Sequence, residues 1–323
     1  MEFRLEFTPR PFDQKISHRH KLFLAGSCFT EQIGSKLAAH KFRIIDNPNG
    51  ILFNPVSITK SLTSYIENKV YTEADLFYNN ELWGSWEHHT RFSNVYKDAA
   101  LSTINASQDA AHQFLKEADW LLLTLGSSFV YELENNQVVA NCHKVPTDKF
   151  RKKLLSVDEV ITTLDGLIYR LKKFNPRLKI IFTISPVRHL RDGFIENNRS
   201  KATLINAVHH MVDKFEGLYY FPAYELVIDD LRDYRFFAED MVHPNYAATN
   251  YVWEKFTSAC IDEPSQELMK EINIINAAKN HKAFNPASEA HKKFLQNNME
   301  RINKLEQKFS YIDFEKEKAY FST

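Results

Sequence analysis

The chain has 323 residues, 44% of them hydrophobic, and its 41 Lys and Arg residues balance its 41 Asp and Glu residues. This length allows one large domain or two ordinary ones, and the hydrophobic content is sufficient for a folded core. A formal net charge of zero provides no overall attraction for nucleic acid or for an anionic membrane, so we expect neither as a partner.

The cysteines and the opening residues indicate the cellular compartment. Cys28, Cys142 and Cys260 are odd in number and far apart, which fits neither a disulfide framework nor a Cys-x-x-Cys metal site. The stretch MEFRLEFTPRPFDQK does not resemble a signal peptide, and no run of about 18 apolar residues predicts a membrane span. We therefore expect a cytoplasmic protein with reduced thiols. Without a paired-histidine helix motif or a carboxylate cluster, we predict neither a metal ion nor another cofactor.

Five short apolar runs predict buried strands. They are KLFLAG (21–26), FRIID (42–46), WLLLTLG (120–126), KIIFTISP (179–186) and LYYFPAYELV (218–227). Continuous rather than alternating hydrophobicity is typical of strands that are covered on both faces. Helical patterns occupy the gaps, at 30–40, 110–118, 157–173, 201–214 and 244–259. This alternation predicts an α/β fold with parallel strands and right-handed crossovers.

Two parts of the chain depart from this alternation. The stretch 55–119, which contains WGSWEHHTRFSN, is interpreted as an insertion that could form a lid or a substrate wall. From about Asp262 the sequence becomes charged and amide-rich, so we divide the chain into an α/β domain over 1–261 and a helical C-terminal extension over 262–323. Apolar residues of the extension recur at helical spacing, which predicts a face that buries against the main domain or in a homo-oligomer. These residues are Leu295, Met299, Ile302, Leu305 and Phe309.

Candidate reactive residues stand near both ends of the α/β region. Gly26-Ser27-Cys28 lies at a predicted strand-to-helix junction, where backbone N–H groups and the positive end of the helix dipole surround the side chain. Near the other end, Asp240 precedes His243 by three residues and Pro244 follows, so His243 should lie just outside a helix. Asp240 could then accept a hydrogen bond from one ring nitrogen and leave the other to act as a base.

The order of these parts resembles the SGNH or GDSL hydrolase superfamily, and within it the GSCFA family, whose motif corresponds to GSCFT at 26–30. Further segments are similar to that family: TLGSSFVY (124–131), NCHK (141–144), SPVRH (185–189), NNRSKA (197–202), YFPAYE (220–225) and LRDYRFF (231–237). The resemblance implies a three-layer α/β/α fold with a parallel five-stranded sheet of order 2-1-3-4-5. It also implies a nucleophile in the first motif that is served by His243 and Asp240.

The identity of the nucleophile stays open between two neighbouring residues. The superfamily motif places a serine where this chain has Cys28, and an aspartate where it has Ser27. A cysteine beside a helix N-terminus and within about 3–4 Å of His243 could ionise and attack a carbonyl. The alternatives are that Ser27 is the nucleophile, or that Cys28 is a small buried residue with no catalytic role.

Other polar residues are candidates for stabilising an oxyanion or binding substrate. The N–H of Cys28 is one oxyanion donor, and the resemblance adds the others. These are Gly50 or its neighbours, Gly126 with Ser128, and Asn141, which could replace the asparagine side chain that the superfamily has two residues after this glycine and this chain lacks. After the predicted strands, His143, Arg188 and His189 could bind an anionic part of a substrate. Arg188 could instead be held in structural salt bridges with Asp229, Asp230 or Asp233.

These residues and the resemblance predict an esterase-like hydrolase that acts on a small-molecule or glycan acyl ester. In this hypothesis Cys28 attacks the carbonyl carbon, His243 shuttles the proton and Asp240 orients the imidazole. Two alternatives remain: an acyltransferase that uses the same residues, and a non-catalytic ligand-binding protein with an inert thiol.

Overall fold

The computed structural model describes residues 5–322 of the chain. The strands are β1 Lys21–Gly26, β2 Arg43–Asp46, β3 Phe77–Asn79, β4 Leu82–Gly84, β5 Trp120–Leu125, β6 Phe129–Glu132, β7 Arg151–Leu154, β8 Lys179–Ile184 and β9 Leu218–Tyr220. The helices are α1 Cys28–Ala39, α2 Pro55–Glu67, α3 Lys97–Glu117, α4 Val157–Phe174, α5 Phe194–Lys214, α6 Ala223–Glu225, α7 Tyr246–Cys260, α8 Glu263–Asn280, α9 Glu289–Lys308 and α10 Glu315–Phe321. A π-helix over Leu226–Leu231 follows α6, and short 3₁₀-helices lie at Glu73–Asp75, Thr90–Phe92, Thr147–Lys149, Leu190–Asp192 and Tyr234–Phe236.

Within the described residues, five parallel strands form the central sheet in the order β2-β1-β5-β8-β9. Numbered by their appearance in the chain, these strands have the order 2-1-3-4-5, so the predicted sheet and the α/β class are confirmed. The hairpins β3-β4 and β6-β7 are antiparallel and lie outside this sheet. Because the five strands run in the same direction, their carboxyl ends meet at one edge of the sheet, which we call the carboxyl edge.

The side chains of β1 alternate between two buried cores. Phe23 packs in a core that also receives side chains from α2, α3, α4 and α5. Leu24 packs in the second core, with side chains from α1 and α7. Both residues are fully buried, so helices cover both faces of the sheet and produce the predicted three layers.

The stretch 55–119, interpreted from the sequence as an insertion, contains α2, the β3-β4 hairpin and α3. Ile58 of α2 and Leu115 of α3 are fully buried in the same core as Phe23. These two helices therefore belong to a layer that covers the sheet, and the hairpin is the part of the chain between them.

The C-terminal helices α8, α9 and α10 form a separate apolar cluster. The apolar face of α9 packs there against its two neighbours. Asn276 donates a hydrogen bond to the carbonyl of Ala39 (2.9 Å), and Arg43 donates one to the carbonyl of Tyr311 (3.2 Å). Since Arg43 is the first residue of β2, these helices dock at the edge of the sheet opposite the carboxyl edge.

No helix among residues 5–322 has the length and apolar character that a membrane span needs.

Gly26 ends β1 at a point where two strands approach too closely for a side chain. Its φ is +141°, and a Cβ atom built on it would lie 2.2 Å from the carbonyl oxygen of Thr124 on β5. Asn47 fixes the same residue, because its side-chain oxygen accepts the N–H of Gly26 at 2.8 Å. The N–H of Ser27 then donates to the carbonyl of Thr124 (3.1 Å), which sets the start of α1 at the carboxyl edge.

We expect Gly26→Ala to lower the free energy of unfolding by about 3 kcal/mol, because both the backbone conformation and the contact with Thr124 become strained. Gly166→Ala is the matched control, since Gly166 lies inside α4 and an added Cβ meets no atom within 4 Å. That control should raise stability by about 0.5–1 kcal/mol. Urea denaturation measures both, and equal midpoints for the two variants would contradict this account of Gly26.

Candidate active site

Ser27 is the residue that caps helix α1. Its backbone is extended (φ −70°, ψ 174°), and its hydroxyl oxygen accepts the N–H of Phe29 at 3.3 Å. The residue is fully buried. A buried hydroxyl that is engaged in capping is poorly placed to attack a substrate, which leaves Cys28 as the better candidate nucleophile.

Cys28 is the first residue of α1 and is partly exposed. Burial raises the pKa of its thiol, and hydrogen bonds from the N–H groups of Cys28 and Phe29 act in the opposite direction. Glu31 raises this pKa further, whereas Lys201 lowers it. Within residues 5–322, no hydrogen bond joins the sulfur to His243, so the structure does not show the contact that the sequence predicts.

His243 and Asp240 form the expected pair. Nδ1 of His243 donates to a carboxylate oxygen of Asp240 at 2.6 Å. The other oxygen accepts the backbone N–H groups of Val242 (2.9 Å) and His243 (3.0 Å). These backbone bonds and the imidazole bond hold the pKa of Asp240 at about 2. Since a carboxylate can only accept, the proton is on Nδ1 and Nε2 is left as the basic nitrogen.

His189 lies in the segment after β8, beside Phe53 and Gly126. Its Nε2 atom is buried without a hydrogen-bond partner and lies 3.3 Å from where a Cβ of Gly126 would be. Burial lowers the pKa of His189 to about 4, and the charges of Lys201 and His243 contribute in the same direction. The imidazole is therefore neutral at physiological pH.

Arg188 has aromatic neighbours instead of the structural salt bridges weighed from the sequence. Its guanidinium carbon lies 4.0 Å from the ring centroid of Phe237 and 5.0 Å from that of Tyr234. Its N–H donates to the carbonyl of Val242 (3.2 Å), next to His243. In the part of the chain that the structure describes, no carboxylate pairs with Arg188, and its buried Nη1 atom has no hydrogen-bond partner.

A cleft of about 250 Å³ opens beside His189 and is lined by aromatic and polar side chains. Asn141 contributes to this lining, and its side-chain oxygen accepts the N–H of His143 at 2.8 Å. The remaining residues of the lining are Phe53, Asn54, Ser127, Phe129, Tyr131, Val139, Ala140, Cys142, Lys152, Arg191 and Asp192.

Two glycines predicted as oxyanion donors use their N–H groups elsewhere. Gly50 has φ +83° and donates to the carbonyl of Asn47 at 2.7 Å, so its N–H is engaged in a turn. Gly126 donates to the carbonyl of Phe53 at 2.8 Å. By contrast, the N–H of Ile51 has no acceptor within residues 5–322, so a neighbour of Gly50 replaces it as a candidate donor.

Ser128 and His143 also have structural partners instead of a place in the site. Ser128 is fully buried and its hydroxyl donates to the carbonyl of Ser200 at 3.2 Å. His143 is buried, and its Nε2 donates to the carbonyl of Ser85 at 2.9 Å. Its ring meets the face of Phe77 edge-on, with centroids 5.0 Å apart. Neither side chain lines the cleft beside His189.

Lys201 is a buried charged residue that the sequence analysis did not single out. It is 1% exposed, and its Nζ donates to the carbonyls of Gly126 and Ser185, both at 2.7 Å. These carbonyls directly follow β5 and β8. The segment NNRSKA, which is similar to the family, includes this lysine. A lysine in a helical pattern is usually exposed to solvent, so the sequence did not indicate its burial.

The chain has distant similarities among solved structures. It is similar to a carbohydrate esterase family 3 protein from Talaromyces cellulolyticus, with 10% identity, 79% of this chain and 99% of that chain covered, and a TM-score of 0.35. It is also similar to an acetyl xylan esterase from the rumen bacterium Butyrivibrio proteoclasticus, with 12% identity, 80% and 64% coverage, and a TM-score of 0.35. No curated protein matches.

Two family models match the sequence. One, described as GSCFA domain protein, C-terminal domain, matches residues 272–323. The other, described as the GSCFA family, matches residues 21–256, a range that contains the candidate site and more than half of the sequence. The chain therefore belongs to the GSCFA family.

Proposed function

We propose that the protein is an esterase-type acyl-transfer enzyme in which Cys28 is the nucleophile, His243 the base and Asp240 the residue that orients it. The observation that supports this most is the 2.6 Å bond between Asp240 and Nδ1 of His243. It leaves Nε2 basic at the same carboxyl edge where α1 begins with Cys28.

The proposed reaction starts with transfer of the thiol proton to Nε2 of His243 as the sulfur bonds to the ester carbonyl carbon. The N–H groups of Cys28 and Ile51 donate to the oxyanion that develops. The C–O bond then breaks, and the alcohol leaves with the proton from His243. Water or another acceptor attacks the thioester, again losing a proton to Nε2, and the thiol is restored when that proton returns to the sulfur.

Arg188 supports the proposal that the substrate has an anionic group. Its guanidinium stacks on Phe237 beside the loop of His243, and it has no carboxylate partner within residues 5–322. A buried guanidinium nitrogen without a partner favours binding of a carboxylate or phosphate oxygen.

A second candidate function is ligand binding without catalysis. It is favoured by the raised pKa of the Cys28 thiol and by the absence of a hydrogen bond from that thiol to His243 in the described residues. Hydrogen bonds in unliganded active sites often tighten only when substrate binds, so we place this candidate second.

We expect turnover of p-nitrophenyl acetate by the purified protein and formation of an acetyl thioester on Cys28. Cys28→Ala should abolish both, and His243→Ala should slow turnover by about 10²-fold or more, because proton transfer is lost. Intact-protein and peptide mass spectrometry locate the acyl group. Adding an amine or alcohol acceptor separates hydrolysis from acyl transfer by its product. Unchanged turnover in Cys28→Ala would exclude the proposed nucleophile.

Ser27→Ala should lower the free energy of unfolding by about 1 kcal/mol, because the cap of α1 is lost, while acylation of Cys28 continues. Ser156→Ala is the matched control: Ser156 caps α4 with nearly the same backbone angles and lies outside the site. Urea denaturation should give similar losses for both variants. If Ser27→Ala alone abolishes turnover, Ser27 is the nucleophile.

Asp240→Asn should reduce turnover by about 10²-fold, because the neutral amide no longer favours the Nδ1-protonated imidazole. The carboxylate has a lowered pKa of about 2, so its contribution to stability is complete above about pH 4 and disappears as the pH falls toward 2. The loss of activity should therefore be constant from neutral to mildly acidic pH. Asp233→Asn, which removes an exposed pair with Arg235, is the control. Equal rates for the two variants would contradict the orienting role.

A further inference from the structure

The glycine at position 126, directly after β5, leaves space that a side chain would fill. Its φ is not positive, so the backbone conformation does not itself require glycine. A Cβ atom built on Gly126 would lie 3.3 Å from Nε2 of His189 and 3.3 Å from Cδ1 of Phe53, which is tighter than most Cβ contacts. The three residues therefore enclose a space, which we call the Gly126 niche.

The Gly126 niche lies beside the turn that carries Cys28. The carbonyl of Phe53 accepts the N–H of Gly126 at 2.8 Å, and the preceding residue, Leu52, donates its N–H to the carbonyl of Gly26 at 3.0 Å. The loop of Phe53 thus bridges the ends of β5 and β1. Since Gly26 is two residues before Cys28, the niche is at the carboxyl edge, next to the proposed nucleophile.

Nε2 of His189 is an unpartnered polar atom that faces this niche. It is buried and forms no hydrogen bond within residues 5–322. The residue itself is held in place, because its backbone N–H donates to the side-chain oxygen of Asn197 at 2.9 Å and its ring contacts Phe53 edge-on, with centroids 5.2 Å apart. A buried polar atom without a partner costs free energy, and a hydrogen bond to a ligand recovers it.

The cleft of about 250 Å³ described above reaches the Gly126 niche, since Phe53 and His189 both line it. Two other polar side chains of this lining have partners inside the protein. The side-chain oxygens of Asn54 and Ser127 each accept a backbone N–H, at 2.8 Å and 3.1 Å. By contrast, Nε2 of His189 keeps its capacity for a hydrogen bond to a ligand in the cleft.

The chemistry of His189 favours an uncharged hydroxyl group as its partner. Burial lowers the pKa of His189 to about 4, so the ring is neutral at physiological pH and does not attract an anion by charge. In one neutral tautomer Nε2 donates a hydrogen bond, and in the other it accepts one. A hydroxyl group can do both and fits either tautomer, whereas an ester carbonyl only accepts and fits one.

We propose that the Gly126 niche is a subsite for a free hydroxyl group of the substrate, which forms a hydrogen bond with Nε2 of His189. The substrate is then an ester that carries at least one further hydroxyl group, as a partly acylated polyol or sugar does. This deepens the proposed function and rests on it only in taking an ester as the ligand. No covalent bond to His189 forms or breaks.

The first test compares esters that differ only in a hydroxyl group. 2-Hydroxyethyl acetate is matched with propyl acetate, and 4-hydroxybutyl acetate with pentyl acetate, because each alkyl ester has a methyl group in place of the hydroxyl. Binding to full-length Cys28→Ala protein, which lacks the proposed nucleophile and is labelled with ¹⁵N-histidine, is followed by NMR. At least one hydroxy ester should bind about tenfold more tightly than its alkyl partner, the effect of one hydrogen bond to a buried polar atom.

The same titration reports on the proposed contact directly. The hydroxy ester that binds more tightly should shift the ¹⁵N signal of Nε2 of His189, assigned by its loss in His189→Phe, and its alkyl partner should shift it less. Equal affinities within both pairs of esters, or a preference without a larger shift at His189, would overturn the proposal.

The second test changes the niche. His189→Phe removes Nε2 and Gly126→Ala fills the space, so both should abolish the preference for the hydroxy ester, while His189→Gln, which keeps an amide donor and acceptor, should retain part of it. The matched controls are His210→Phe and Gly166→Ala, since His210 is exposed and a Cβ on Gly166 meets no atom within 4 Å. Both controls should keep the preference. A preference that survives in folded His189→Phe would overturn the proposal.

The ester comparison needs no change at His189 or Gly126, so it decides the proposal even if those variants do not fold. It does not use turnover either. Protein that prefers the hydroxy ester but does not turn over p-nitrophenyl acetate would contradict the proposed function and keep this subsite. Protein that turns over p-nitrophenyl acetate and shows no preference would do the reverse.

Discussion

The close approach of β1 to β5 at Gly26 is the constraint on which the candidate site depends. With φ at +141° and no Cβ, Gly26 lets the chain pass against the carbonyl of Thr124, and the amide oxygen of Asn47 holds its N–H. The next residue, Ser27, then donates its N–H to β5, while its hydroxyl oxygen caps α1. As a result, Cys28 is the first helical residue, and the positive end of the helix dipole faces the carboxyl edge.

Two basic side chains lie near this edge of the sheet. A hydrogen bond to the carbonyl of Gly126 holds Nζ of Lys201 at the end of β5, and Arg188 lies beside the loop of His243. Neither side chain has a carboxylate partner in the described part of the chain. Burial keeps His189 neutral, so this imidazole adds no charge. Asp240 accepts three hydrogen bonds within its own loop, so its negative charge acts mainly to orient the imidazole.

The sequence predicted the sheet and the paired residues of the loop, because both depend on local pattern. Continuous apolar runs defined the five strands, and the three-residue spacing of Asp240 and His243 is enough for their bond. The sequence analysis was wrong where the hydrogen-bond partner of a residue comes from a distant segment of the chain. Ser128 is engaged by Ser200, which is far away in the sequence, and Lys201 is buried although its helical pattern suggests exposure. Such pairings follow from how α5 packs on the sheet, which no local spacing reveals.

The pKa of the Cys28 thiol is subject to opposing effects. Burial and Glu31 raise the pKa of Cys28, while the helix N–H groups and Lys201 lower it. Because its pKa is raised, the thiol keeps its proton at neutral pH. Oxidation proceeds through the thiolate, so a thiol that keeps its proton is protected from oxidation.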